Sequence, residues 1–195
     1  MLLLLLGLAS MAWSEPSQPV VVAIIDTGAD INHPQLRERI WTNTKEIPGN
    51  GIDDDGNGYI DDVNGWNFVS RDAVVRDRHG HGTHIAGIIH SYAPEARLMI
   101  LKYMDPEFAR VDGLKTTVDA IRYAVKMKVD IINYSAGGTV PNPLEIAALE
   151  LAQKAGILVV AAAGNEGGDS DQHGFYPADY DLPNILSVTA IDEKR

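Results

Sequence analysis

The sequence contains no cysteine among its 195 residues. Disulfide bonds, thiolate metal sites and a cysteine nucleophile are therefore excluded. An excess of positive charge is also lacking, since the formal net charge at pH 7 is −11. Because binding to phosphate backbones needs a basic face, nucleic acid is not an expected partner. The hydrophobic content of 45% is enough for one domain with a sizeable core.

The apolar run near the N-terminus, residues 2–8, is too short to cross a bilayer as a helix, which needs about 20 residues. Small residues follow it at Ala9, Ser10 and Ala12. This order is typical of a secretory signal peptide, so we expect residues 1–14 to be one and the protein to be secreted, extracellular or periplasmic. The run carries no Lys or Arg, so an internal apolar segment behind a misassigned start is the alternative.

From residue 20 onward, short β-branched runs alternate with longer amphipathic stretches. The runs predict strands at residues 20–25, 97–103, 130–134, 157–163 and 185–191. Helices are predicted at residues 83–92 and 112–128, and a further one contains Leu144, Ala148 and Leu151 and ends at Gly156. Continuous apolar strands are typical of a sheet buried on both faces. The pattern indicates an α/β fold with a mostly parallel sheet, formed by one domain over residues 20–195.

Two polar residues lie just past the ends of predicted strands: Asp26 after the first, and Asn165 after residues 157–163. In open α/β sheets, ligands bind at this edge. A carboxylate such as that of Asp26 can accept the Nδ1 proton of a histidine and fix its tautomer. The motif Asp26-Thr27-Gly28 also matches aspartic proteases. That alternative needs a second copy of the motif or a symmetric dimer of a mostly β chain.

A glycine-rich histidine motif, Gly80-His81-Gly82-Thr83-His84, opens a predicted helix. A histidine in the first turn experiences the positive end of the helix dipole, which favours the neutral imidazole that can accept a proton. A zinc cluster formed by His79, His81 and His84 is the alternative. We expect His84, one turn further along the helix, to be a packed core residue.

These motifs, in this order and with Ala163-Gly164-Asn165, resemble the subtilisin-like serine proteases, the subtilases. The resemblance implies a three-layer fold with helices on both faces of the sheet. It also implies hydrolysis of peptide bonds, with Asp26 and His81 as catalytic residues and Asn165 as the oxyanion donor. Membership would make the chain a serine-type endopeptidase.

The family's nucleophilic serine lies in a Gly-Thr-Ser-Met-Ala type motif, and no such motif is present in the 195 residues. We therefore expect an N-terminal part of the catalytic domain that is inactive alone. A non-catalytic pseudoprotease that binds extended peptides is the alternative. In the family the serine opens a helix that packs on the sheet. We thus expect an uncovered apolar flank along residues 20–25, 130–134 and 157–163.

The segment Asn133-Tyr134-Ser135-Ala136-Gly137-Gly138 resembles the family's substrate-binding stretch. The resemblance implies that an extended peptide or protein substrate pairs with this backbone, largely through main-chain hydrogen bonds. The residues predicted to bind substrate are Ser135, Ala136, Gly137, Ala163 and Gly164.

An acidic loop lies between the Asp26 and His81 motifs. From Asp53 its oxygen donors fit positions 1, 3, 5 and 9 of an EF-hand-like loop, with Gly58 at position 6 and Asn64 at position 12, where a Glu is usual. Clustered carboxylates repel one another, and a divalent cation relieves that repulsion. The sequence predicts a structural Ca²⁺ site, with a solvated acidic turn as the alternative. The predicted ligands are the side chains of Asp53, Asp55, Asn57 and Asp61 and the carbonyl of Tyr59.

Overall fold

The computed structural model describes residues 18–108, 111–165, 167 and 173–191. The predicted signal peptide, residues 1–14, lies outside the described residues. None of the helices within the described ranges has the length and apolar character needed to cross a membrane.

A six-stranded parallel sheet forms the centre of the fold, with the strand order β2-β3-β1-β4-β5-β6. The parallel α/β architecture predicted from the sequence is thus confirmed. The short strand β2 was not predicted. The strands are β1 (Val21–Asp26), β2 (Gly65–Asn67), β3 (Arg97–Lys102), β4 (Ile131–Tyr134), β5 (Leu158–Ala162) and β6 (Ile185–Val188).

In the part of the chain that the structure describes, three α-helices connect the strands: α1 (His81–Tyr92), α2 (Gly113–Lys126) and α3 (Pro143–Lys154). Side chains cap two of them at the N-terminus. Asp112 accepts hydrogen bonds from the first-turn amides of α2, and Asn142 does so for α3. Gly156, at φ +74°, lies just beyond the end of α3, where a left-handed residue terminates a helix.

The helices lie on both faces of the sheet, which confirms the three-layer expectation. Alternate side chains of β1 serve opposite faces. Val22 and Ile24 pack with Ala86 of α1 in one cluster. Ala23 and Ile25 belong to the larger cluster that contains residues of α2 and α3.

Helix α1 packs on β1 and leaves part of the same sheet face uncovered. Strand β1, expected to have an uncovered flank, is instead buried, because α1 packs on it. The uncovered part lies along the other end of the sheet. There Leu158 of β5 is 39% exposed, and Leu186 and Val188 of β6 are 52% and 47% exposed.

Candidate active site

An aspartate and a histidine meet where β1 ends and α1 begins. Nδ1 of His81 lies 2.8 Å from Oδ1 and 2.9 Å from Oδ2 of Asp26. The Asp26 side chain is 4% exposed and that of His81 is 42% exposed. Since the carboxylate of Asp26 bonds to Nδ1, it fixes the orientation of the imidazole, and Nε2 can interact with another group. This is the arrangement in which a carboxylate fixes the tautomer of a general base.

Two glycines allow α1 to approach the end of β1 this closely. A Cβ on Gly82 would lie 2.1 Å from the carbonyl oxygen of Gly28. The amide of Gly82 also donates to Oγ1 of Thr27 over 3.0 Å. Gly28 itself has φ +103°, a left-handed conformation that favours glycine. Backbone contact therefore sets the separation of Asp26 and His81.

A second carboxylate, that of Asp77, organises the start of α1. It accepts hydrogen bonds from the amides of His79, Gly80 and Thr83 and from the hydroxyls of Thr27 and Thr83. Burial alone would raise the pKa of Asp77, but the hydrogen bonds from Gly80, Thr83 and His79 outweigh it and lower the pKa.

The sequence analysis did not identify Asp77. An acidic residue placed four positions before the histidine that opens a helix was the available signal, since carboxylates stabilise helix N-termini.

A buried ion pair lies beside the site. Lys102 is the register partner of Asp26 across β1 and β3, and its Nζ is 2.7 Å from Oδ2 of Asp105. The two side chains are only 2% and 3% exposed. Nζ also donates to the carbonyl of Arg76. Nearby, burial and then the negative charge of Asp26 raise the pKa of Tyr103 to about 12. No sequence pattern indicated this pair, because it depends on how β3 is buried.

Asn165 follows β5, at the same edge of the sheet as Asp26, because both residues lie just beyond or at the carboxyl ends of parallel strands. With Ala163 and Gly164 it lines a cavity of about 490 Å³, which Thr139 and Phe175 also line. Three of the residues predicted from the sequence thus share one cavity.

Ser135, Ala136 and Gly137 follow β4 at this edge. The next residue, Gly138, pairs in both directions with the backbone of Tyr176, at 2.9 and 2.7 Å. A Cβ on Gly137 would lie 2.3 Å from the carbonyl oxygen of Tyr176, so this position requires glycine. Residues 135–137 make no backbone hydrogen bond to another described residue, which leaves them as an open stretch between β4 and the Tyr176 bridge.

The acidic loop brings together Glu46, Asp53 and Asp55, whose ligand oxygens all lie within 4.8 Å of one another. Carboxylate oxygens suit a hard divalent cation such as Ca²⁺. Glu46 was missed because it lies seven positions before Asp53, outside the loop spacing that identified the others. Glu46 also accepts hydrogen bonds from the amides of Asp55 and Asp61, so it stabilises the loop conformation as well.

Two of the other predicted ligands make hydrogen bonds within the loop. The carboxylate of Asp61 accepts the amides of Gly49, Asn50 and Gly51. Oδ1 of Asn57 accepts the amide of Tyr59, and its Nδ2 donates to Asp62. The three-carboxylate group therefore includes the predicted ligands Asp53 and Asp55 and adds Glu46 to them.

The three histidines of the zinc alternative are not brought together. Within the described ranges, the group of Glu46, Asp53 and Asp55 is the only one of three such side chains close enough to share a cation. His84 is exposed on α1, so the expectation that it packs in the core is wrong. Ala86 is the residue of this helix that packs fully buried against the sheet.

Comparison with known proteins identifies the family. A profile of the subtilase family matches residues 17–195, and the chain belongs to that family of serine peptidases. The major intracellular serine protease of Bacillus subtilis is 36% identical over 189 residues, covering 90% of this chain and 52% of the relative. Thermitase of Thermoactinomyces vulgaris is 32% identical over 183 residues, with 88% and 55% covered.

Solved structures give the same assignment. A lanthipeptide protease superposes with a TM-score of 0.64 at 26% identity, covering 86% of this chain and 47% of that one. Fervidolysin from Fervidobacterium pennivorans, a keratinolytic enzyme, has a TM-score of 0.63 at 25% identity, with 86% and 24% covered. The chain spans about half the length of the curated relatives that it matches.

Proposed function

We propose that this chain carries the acid–base part of a serine endopeptidase site, in which His81 is the general base and Asp26 orients it. The observation that carries the proposal is the contact of His81 Nδ1 with both oxygens of a buried carboxylate. Family membership supports the reaction class.

The proposed chemistry assigns one role to each group. A serine hydroxyl beside Nε2 of His81 gives its proton to the imidazole as its oxygen attacks the substrate carbonyl. Asp26 stabilises the imidazolium that forms, and the proton then passes to the leaving amine. The side-chain amide of Asn165 donates to the oxyanion. In subtilisin, loss of such an amide donor is known to lower turnover by about a hundred- to a thousand-fold.

The substrate in this proposal is a peptide in extended conformation. Residues 135–137 form an open backbone stretch beside the cavity of Ala163, Gly164 and Asn165, which supports pairing of a peptide along Ser135, Ala136 and Gly137. We expect the serine to come from the part of the family domain that the relatives contain beyond the region matched by this chain. Among the described residues, no serine hydroxyl forms a hydrogen bond with His81.

Complementation tests the proposal. The 195-residue chain is co-expressed with the segment of the Bacillus subtilis relative that follows the matched half. We expect labelling by a fluorophosphonate and peptide hydrolysis from the pair, and neither from the chain alone. His81→Ala in the pair should abolish both signals.

His84→Ala is the matched control, since this exposed histidine lies on the same helix and takes no part in the proposed chemistry. The control should retain activity. Labelling of the chain alone, or activity of the complemented pair that survives His81→Ala, contradicts the proposed roles. Peptide binding without hydrolysis in any combination would favour the pseudoprotease alternative.

A structural Ca²⁺ at Glu46, Asp53 and Asp55 is part of the proposal, supported by the proximity of their oxygens. Ca²⁺ at a hundred times its dissociation constant would stabilise the fold by about 2.7 kcal/mol through mass action. We expect a higher melting temperature in Ca²⁺ than in chelator, and loss of the difference in Asp53→Ala. Asp54→Ala, which removes a neighbouring carboxylate outside the group, is the control. Equal melting temperatures in Ca²⁺ and chelator would eliminate the site.

Secretion through residues 1–14 also remains a proposal, which rests on the order of apolar and small residues alone. Export and processing of a reporter fused after residue 17 would test it. A reporter that stays in the cytoplasm uncleaved would contradict it.

A further inference from the structure

A second cavity, of about 460 Å³, opens beside the stretch proposed to bind peptide. Gly137 and Gly138 line it, together with Tyr103, Tyr134 and Tyr176. The volume falls in the range of roughly 300–1,000 Å³ in which proteins hold small ligands. A side chain of a peptide bound along residues 135–137 would therefore have a cavity to enter.

The cavity contains a buried carboxylate, that of Glu145 on α3, which is only 6% exposed. Oε2 accepts a hydrogen bond from the hydroxyl of Tyr180 at 2.8 Å. Oε1 accepts no hydrogen bond from a described residue. It is also not one of the fully buried polar atoms that lack a hydrogen-bond partner. Oε1 thus keeps some exposure to solvent, and Glu145 is one of the residues that line the cavity.

The charge of Glu145 is not matched by a positive one: none of the ion pairs formed by the described residues includes it. Buried charges are normally paired, because desolvation disfavours the charged form. Burial accordingly raises the pKa of Glu145, an effect that the Tyr180 hydroxyl opposes only in part. A cation entering the cavity would reverse the effect of burial and favour the carboxylate form.

The aromatic walls suit the same kind of ligand. Tyr103 and Tyr134 meet edge to face with ring centroids 5.7 Å apart, and Tyr176 stacks near Tyr180 at 4.7 Å. Ring faces attract ammonium and guanidinium groups, and their carbons bury the aliphatic stem of such a side chain. A carboxylate in the lining of a cavity with tyrosine walls is therefore complementary to a long cationic side chain.

We infer that this cavity is a specificity pocket for a lysine or arginine side chain of the bound peptide, with Glu145 as the residue that pairs with its charge. The inference rests on the proposed function, since the peptide is expected along Ser135–Gly137. It adds to that proposal the class of substrate, namely peptides that are basic at the position facing this cavity.

Binding measurements test the inference without any hydrolysis. Acetylated and amidated alanine pentapeptides carry one lysine, or one norleucine of similar length, at each position in turn. We expect one lysine position to bind the 195-residue chain about tenfold more tightly than its norleucine counterpart. Glu145→Gln should reduce that ratio to within about twofold, whereas Glu150→Gln, an exposed carboxylate on the same helix, should leave it unchanged.

The outcomes separate this inference from the proposed function. Norleucine binding as tightly as lysine at every position, or a lysine preference that survives Glu145→Gln, overturns the inference and leaves the peptidase proposal intact. If no peptide binds, titration with n-butylammonium decides. Shifts of the Tyr134 and Tyr176 ring resonances that depend on Glu145 would support the pocket and count against the peptide site, and no shifts would overturn the pocket as well.

Discussion

Replacing Asp77 with alanine is expected to destabilise the start of α1 and, with it, the placement of His81. The substitution removes the acceptor of three backbone amides and two hydroxyls. Loss of a helix-capping side chain costs about 1 kcal/mol, and a hydrogen bond to a charged group contributes about 1.5–3 kcal/mol. Because Asp77 is partly exposed and water can replace several of these bonds, we expect a total loss of about 2–3 kcal/mol.

The pH dependence gives a second test of the same residue. The pKa of Asp77 is lower in the folded chain than its ordinary value of 3.8. Its stabilising contribution is therefore complete above the unfolded-state pKa and is lost as the pH falls through the lower, folded-state pKa. The difference in unfolding free energy between the wild type and Asp77→Asn should stay constant from neutral pH to about pH 5 and shrink below about pH 4.

Urea denaturation at several pH values measures both effects. Asp72→Ala serves as the control, because Asp72 lies in the same loop and its carboxylate accepts a single local amide, that of Val74. We expect the control to lose less than about 1 kcal/mol. An Asp77→Ala variant as stable as the control, or a loss that is equal at pH 3 and pH 7, would refute the reasoning.

Two further substitutions test the surroundings of the site. Lys102→Met should lower the free energy of unfolding in urea by about 3–5 kcal/mol, because it leaves the buried carboxylate of Asp105 without its cation. Adding Asp105→Leu should restore much of the lost stability. A loss below about 1 kcal/mol for Lys102→Met would contradict this. Gly82→Ala should remove the downfield proton resonance of His81 Nδ1, since its Cβ would lie 2.1 Å from the Gly28 carbonyl oxygen. Gly87→Ala, with nothing within 4 Å, should keep the resonance; its loss there too would count against the steric argument.

The sequence predicted the parallel strands because a strand buried on both faces must be apolar throughout, as in residues 21–25. It did not predict β2. The segment Gly65-Trp66-Asn67 has no such run and becomes a strand through pairing with β3. There a Cβ on Gly65 would lie 1.9 Å from the Ile100 carbonyl oxygen. Pairing of this kind is a tertiary property, which local pattern does not contain.

The same distinction applies to the candidate site. The proximity of Asp26 and His81 was expected from two short motifs. Asp77 was not identified, because its role depends on reaching Thr27, 50 residues away in the sequence. Glu46 was missed for a similar reason: loop spacing identifies ligands within a contiguous segment only. Glu145 belongs to no sequence motif. It stands out only because its carboxylate is buried and forms no ion pair with a described residue.

The uncovered part of the sheet has a calorimetric consequence. Heat capacity rises on unfolding because apolar surface becomes hydrated, by about 12–15 cal/mol/K per residue in ordinary domains. The side chains of Leu158, Leu186 and Val188 are already 39%, 52% and 47% exposed in the folded chain, so unfolding hydrates less new surface there. The increment per residue and the denaturant slope should both lie below the usual values. A flatter stability curve follows, and covering that face would raise the heat-capacity increment toward the usual value.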